Sequence, residues 1–100
     1  MKSFADKIKN AREEKKLLLR QVAAALEIDQ AIISKFERGE RKPSKEQVER
    51  FATFYNLDKT QLITDWLSDK IAYALYEEDN FTEVLKVAEE KARYLKNKSK

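Results

Sequence analysis

The sequence predicts an all-α fold, and two observations carry that expectation. The chain of 100 residues contains a single glycine, Gly39, and a single proline, Pro43. Everywhere else the two strongest chain breakers are missing, so long helices joined by short turns are expected. The remaining composition is rich in Ala, Leu, Glu, Lys, Arg and Gln, all good helix formers. A chain of this length suits one compact domain.

The elements follow in order from apolar spacing and end signals. Phe4, Ile8, Ala11, Arg12 and Lys15 recur at steps of three and four, predicting an amphipathic helix over about 3–15 with Ser3 as its N-cap. Leu17 packs beneath the turn that follows. A second, short helix over about 19–26 directs Val22, Ala23 and Leu26 inward. Glu27-Ile28-Asp29 reads as a turn, with Ile28 as core anchor and Asp29 as the cap of a third helix over about 30–37. That helix buries Ile33 and Phe36 and stops at Gly39, a residue suited to the left-handed end of a helix. After the loop Arg41-Lys42-Pro43, Ser44 and Gln47 form a capping box for a fourth helix burying Val48, Phe51, Ala52 and Tyr55. Asn56 ends it. Asp58 with Gln61 repeats the signature ahead of Leu62 and Ile63, and Trp66, Leu67, Ile71, Ala74 and Leu75 continue as a helical stripe. Asn80 with Glu83 marks one more start, and Phe81, Val84, Leu85, Ala88, Ala92 and Leu95 define a last amphipathic helix to about residue 96.

Several function classes fall away on composition. There is no Cys and no His, so thiolate chemistry, disulfides and the commonest general base and metal ligand are excluded. No metal site, cofactor or enzymatic activity is expected. No stretch approaches the roughly 20 apolar residues of a membrane span. The amphipathic start Met1–Asp6 lacks the apolar core of a signal peptide, so a cytoplasmic protein is expected.

The net charge of +3 is modest, but its distribution is uneven. Residues 1–64 carry 14 Lys/Arg against 10 Asp/Glu, and residues 65–100 carry 7 against 8. Between 35 and 45 stand Lys35, Arg38, Arg41, Lys42 and Lys45 with only Glu37 and Glu40 opposing them. A basic run beside a short helix that is apolar on one face and polar on the other is what docking in a major groove requires.

The run from Asp29 to Ser44 resembles the signature of XRE-type regulators, the phage Cro/repressor-like helix-turn-helix family. Phe4, Ile8, Arg12, Leu17, Val22, Ala23 and Leu26 are similar to that family's core spacing, and the likeness covers about residues 3–64. It implies a five-helix repressor-like DNA-binding domain over 1–64, followed by a C-terminal helical extension of one or two helices over 65–100. It further implies a sequence-specific regulator of double-stranded DNA in which Gln30, Ala31, Ser34 and Lys35 read bases while Arg38, Arg41 and Lys42 contact phosphates. Gln30 suits adenine, Lys35 guanine and Ala31 a thymine methyl; Ile32 either touches thymine or covers the core edge. Arg12 and Glu37 stand where the family has a largely buried ion pair, an architectural role.

Two departures from the family pattern stand out. Leu18 and Leu19 occupy positions where the family places a Ser cap and a phosphate-reaching Gln, and Glu27 stands where a turn Gly is frequent. Exposed leucines there favour the alternative reading, a protein-interaction module of antitoxin or adaptor type with little DNA affinity. The C-terminal third either thickens the monomer's core or forms a homodimer interface, for which Trp66, Tyr73, Phe81, Leu85 and Ala88 are the candidates. A dimer would set two recognition helices about 34 Å apart on a palindromic operator. The basic tail from Lys91 reads as a solvated end, with a supplementary DNA arm as the alternative. No separate small-molecule effector domain is expected in this length. Among small members of the family, a restriction–modification controller is the first biological expectation.

Overall fold

Local capping chemistry decides where the helices begin and end, and burial decides how they pack. In the computed structural model, which describes residues 2–99, six helices and no strand are found among the described residues. They are α1 (Phe4–Glu14), α2 (Leu19–Leu26), α3 (Gln30–Glu37), α4 (Lys45–Tyr55), α5 (Lys59–Leu75) and α6 (Phe81–Lys98).

Helix α1 opens with a reciprocal box in which Ser3 Oγ accepts from Asp6 N and Asp6 Oδ2 accepts from Ser3 N, both at 3.2 Å. Its next free donor, Phe4 N, is satisfied from far along the chain by Asp69 Oδ2 at 2.9 Å. Helix α4 starts with the same device, Ser44 Oγ accepting from Gln47 N and Gln47 Oε1 accepting from Ser44 N. Asp58 Oδ1 caps α5 through Gln61 N at 2.8 Å. Asn80 behaves otherwise: it stands at the cap position of α6 but its side chain makes no capping bond, with φ −100° and ψ 30°. The box read from Asn80 and Glu83 is therefore not formed, because the backbone there is turned away from the extended conformation that aims a cap side chain at N3.

The chain divides into two compact units between Lys70 and Ile71, inside α5 rather than at 64/65. The displacement has a physical cause. Lys7 Nζ pairs with Asp65 Oδ2 at 2.5 Å, Trp66 is buried, and Asp69 caps α1. These contacts bind α5 as far as Lys70 into the first unit.

The first unit holds the whole buried core, which includes Phe4, Ile8, Val22, Ile33, Phe36, Val48, Phe51, Leu62 and Trp66. Phe51 is its centre, meeting Phe4 and Phe36 edge-on at 6.0 and 6.1 Å and stacking on Tyr55 at 6.1 Å. Such pairs add to the transfer free energy of these large side chains, each worth about 1.5–3 kcal/mol when buried. The second unit consists of the end of α5, a turn over 76–80 and α6. None of its described residues is buried, and only Leu75 and Val87 are half-buried. Its large apolar side chains Ile71, Phe81, Val84, Leu85 and Leu95 are exposed.

No helix among the described residues is long and apolar enough to cross a membrane.

Candidate nucleic-acid interface

Helix α3 is seated by two apolar anchors and an ion pair. Ile33 is fully buried and Phe36 nearly so, and Ile32, half-buried, packs against the same core and so covers its edge. Asp29 Oδ1 accepts from Ala31 N at 2.8 Å and caps the start of α3. At the other end, Gly39 takes φ +71°, Glu40 N donates to Lys35 O at 2.9 Å and Gly39 N donates to Phe36 O at 3.1 Å. This is the Schellman pattern, and it needs a left-handed residue where Gly39 stands. The helix is thereby held to eight residues and the chain is turned sharply into the basic loop.

Glu37, the last residue of α3, is buried. Both its oxygens are held by Arg12 of α1, Nε to Oε2 at 2.8 Å and Nη2 to Oε1 at 3.0 Å. The third guanidinium donor, Nη1, donates to Leu17 O at 3.0 Å. The hydrogen bond to Glu37 holds the Arg12 pKa above its ordinary value against the opposing effect of burial. One arginine thus joins α1, the turn after it and the C-terminal end of α3. Beside this pair Tyr55 has its pKa pushed up to about 12, chiefly by burial, with Glu37 adding and Arg12 opposing. Its hydroxyl finds no hydrogen-bond partner among the described residues.

With one face anchored, the opposite face of α3 is left outward. Gln30, Ala31 and Lys35 are exposed and Ser34 is half-buried. The Ser34 hydroxyl accepts from Arg38, whose guanidinium also donates to the carboxylate of Glu40. Ser34, placed by the resemblance at bases, and Arg38, placed at phosphate, are therefore joined in one exposed side-chain chain. Arg41 and Lys42 stand exposed in the loop after Gly39.

The turn between α2 and α3 departs from the glycine pattern without breaking it. Glu27 takes φ +54°, a left-handed conformation that costs on the order of 1 kcal/mol for a residue with a Cβ. Arg50 of α4 donates to Leu26 O and so satisfies a carbonyl at the C-terminal end of α2, where a cation is favoured. At the start of α2, Leu18 provides no side-chain cap; its own N–H donates to Gln21 Oε1 at 2.7 Å. Leu18 is half exposed, whereas Leu19 packs against the core.

Three contributors to this surface were missed by the sequence reading. Trp66, taken there as an interface aromatic, is only 8 % exposed; its indole N–H donates to Pro43 O at 2.9 Å. Its ring is used inside the first unit, where it pins the end of the basic loop. Lys70 Nζ covers the ring at 3.7 Å from its centroid. Glu40 as partner of Arg38, and Arg50 as support of the turn, were also missed. Trp66 and Arg50 have no local signal, since their partners lie 23 and 24 residues away; the Arg38–Glu40 pair, two residues apart, could have been read from its opposite charges. Of the other interface candidates, Tyr73, Phe81, Leu85 and Ala88 are all exposed in the second unit.

A family model described as helix-turn-helix matches residues 8–62, a span that runs from Ile8 within α1 through α2, α3 and α4 and includes both anchors of α3. No curated protein matches the chain.

Proposed function

The chain belongs to the XRE-type helix-turn-helix family of DNA-binding regulators, and on that premise we propose that it reads a specific operator as a homodimer. The carrying observation is the seating of α3: Ile33, Phe36 and the Arg12–Glu37 pair bury one side, leaving Gln30, Ala31 and Lys35 outward. In this reading Gln30 pairs with adenine, Lys35 donates to guanine O6 and N7, and Ala31 meets a thymine methyl. Ser34 reaches a base once Arg38 turns toward phosphate. Arg38, Arg41 and Lys42 position the protein without carrying sequence information. The protein is read as a binding protein without catalytic activity.

Homodimerisation is supported by the second unit, whose amphipathic α6 buries none of its residues. Tyr73, Phe81, Leu85 and Ala88 remain interface candidates; Trp66 does not.

The test is selection from a randomised duplex pool at two salt concentrations, with Gln30→Ala and Lys35→Ala beside the wild type. The expected result is a two-fold symmetric motif whose base preference changes in each variant, with affinity falling as salt rises. Weak binding indifferent to both substitutions would overturn operator recognition. The protein-interaction reading would then stand in its place, favoured by the half-exposed Leu18 at an α2 start without a side-chain cap. The specific role suggested by the resemblance, restriction–modification control, fails if the selected motif is not found beside a methyltransferase or endonuclease promoter.

A further inference from the structure

The segment 38–42, which carries Arg38, Arg41 and Lys42, is held at both ends by groups outside it. At its start, Glu37 is fixed by Arg12 of α1 through hydrogen bonds of 2.8 and 3.0 Å. At its end, Pro43 is buried and its carbonyl accepts from the Trp66 indole of α5 at 2.9 Å. Proline has no N–H, so this carbonyl is the residue's one backbone hydrogen-bonding group. The two holders are themselves joined. Asp69 of α5 accepts from Phe4 N in the first turn of α1 at 2.9 Å, and Asp65 of α5 pairs with Lys7 of α1 at 2.5 Å. The links close a circuit from Glu37 to α1, from α1 to α5, and from α5 back to Pro43.

Spacing along α5 sets two adjoining rows to work on different partners. Asp65 and Asp69, four apart, both meet α1. Trp66 and Lys70, also four apart, meet each other, with Lys70 Nζ 3.7 Å from the ring centroid. The Asp65 side chain is only 13 % exposed, and Asp69 is half-buried. Helix α1 already has a complete capping box in Ser3 and Asp6, so the bond from Asp69, 65 residues away, does more than start a helix.

We infer that Asp69, with Asp65 beside it, is a positioning residue for DNA binding. By fixing α5 against α1 it fixes where Trp66 holds Pro43, and so restricts the basic loop before DNA arrives. Arg41 and Lys42 then lose less freedom on binding, and preorganisation of this kind raises affinity without adding a contact. This rests on the reading of Arg41 and Lys42 as phosphate contacts.

The test is titration of the full chain against a labelled duplex from the selection at several salt concentrations. Asp69→Ala is expected to weaken binding about two- to tenfold. The slope of log affinity against log salt is expected to stay unchanged, because the number of phosphates contacted is the same. Losing an acid raises the net charge, which alone would strengthen binding to a polyanion. Asp69→Asn loses the same charge but keeps an acceptor oxygen, and is expected to restore wild-type affinity or better. The double variant Asp69→Ala with Trp66→Phe is expected to bind no more weakly than Trp66→Phe alone, since both changes break one circuit. Circular dichroism checks the fold at the titration temperature, and Asp65→Ala gives the same comparison should Asp69→Ala not fold. A lower melting midpoint with wild-type affinity in Asp69→Ala would reduce Asp69 to a helix cap and overturn the proposal, as would fully additive losses in the double variant. Arg41→Ala and Lys42→Ala test the reading beneath it, each expected to lower affinity and to reduce the slope by ~0.9. Wild-type affinity and slope in both would remove phosphate contact by the loop, and the positioning role with it.

Discussion

The joint between α1 and the end of the recognition helix should dominate the stability of the DNA-binding unit. Arg12→Leu removes three hydrogen bonds, two of 2.8 and 3.0 Å to Glu37 and one of 3.0 Å to Leu17 O. It leaves a carboxylate whose side chain is only 5 % exposed without its counter-charge. Breaking a buried pair from one side costs about 3–5 kcal/mol. Against the total of about 5–15 kcal/mol typical of a domain, that is a large fraction. At roughly 4–8 °C per kcal/mol for a chain of this size, the midpoint should fall by at least about 12 °C. Replacing both partners, Arg12→Leu with Glu37→Leu, should recover most of the loss, because two desolvated charges leave together. A residue of about 1 kcal/mol should persist, since the Leu17 carbonyl loses its donor. Urea melts followed by circular dichroism give all three values. A single-variant cost below about 1 kcal/mol, the range of solvent-screened surface pairs, would refute the reasoning, as would a double variant no more stable than Arg12→Leu.

Further outcomes follow from the same geometry. Glu40→Gln frees Arg38 from its carboxylate partner, so operator affinity should rise about two- to five-fold, equivalent to a surface pair of up to ~1 kcal/mol; fluorescence anisotropy at several salt concentrations should also show a steeper slope. Trp66→Phe removes the donor to Pro43 O, and stability should fall by about 1–3 kcal/mol. Because the loop carrying Arg41 and Lys42 is then less well pinned, affinity should drop in binding titrations with base preference unchanged. Tyr55 has a folded pKa raised to about 12, so the fold favours the protonated phenol. That contribution is complete below the unfolded value near 10 and is lost as pH rises from about 10 through 12. Tyr55→Phe should flatten this alkaline decline in thermal melts and change stability at pH 7 little, the hydroxyl having no partner to lose. An unchanged alkaline slope in Tyr55→Phe would contradict that assignment.

How much of this protein was legible beforehand depends on the range of the interaction. The boundaries of α2 and α3, the caps at Ser3, Asp29, Ser44 and Asp58, and the left-handed ends at Gly39 and Asn56 all follow from residues within four positions of one another. Such signals survive in a linear text, since neighbouring side chains and backbone donors must find each other wherever the segment lies. The amphipathic spacing likewise marked Phe4, Ile8, Val22, Ile33, Phe36, Phe51 and Tyr55 as inward, and all are buried. Asn80 shows the limit of this kind of reading: the residue types of a capping box are present, but the local backbone angles do not let them close.

An all-helical chain, the helix-turn-helix order, the identity of the outward residues on α3 and the location of the basic loop were thus readable from residue order alone. Packing assigned α5 to the first unit as far as Lys70, because Lys7, Phe4 and Pro43 supply its partners from segments 23 to 65 residues away. It also turned Trp66 from a surface aromatic into a core residue, and joined Arg50 to Leu26. Side-chain reach across a turn or between helices has no period in the sequence, and the same Trp or Arg suits a surface or an interior until packing brings an acceptor to it.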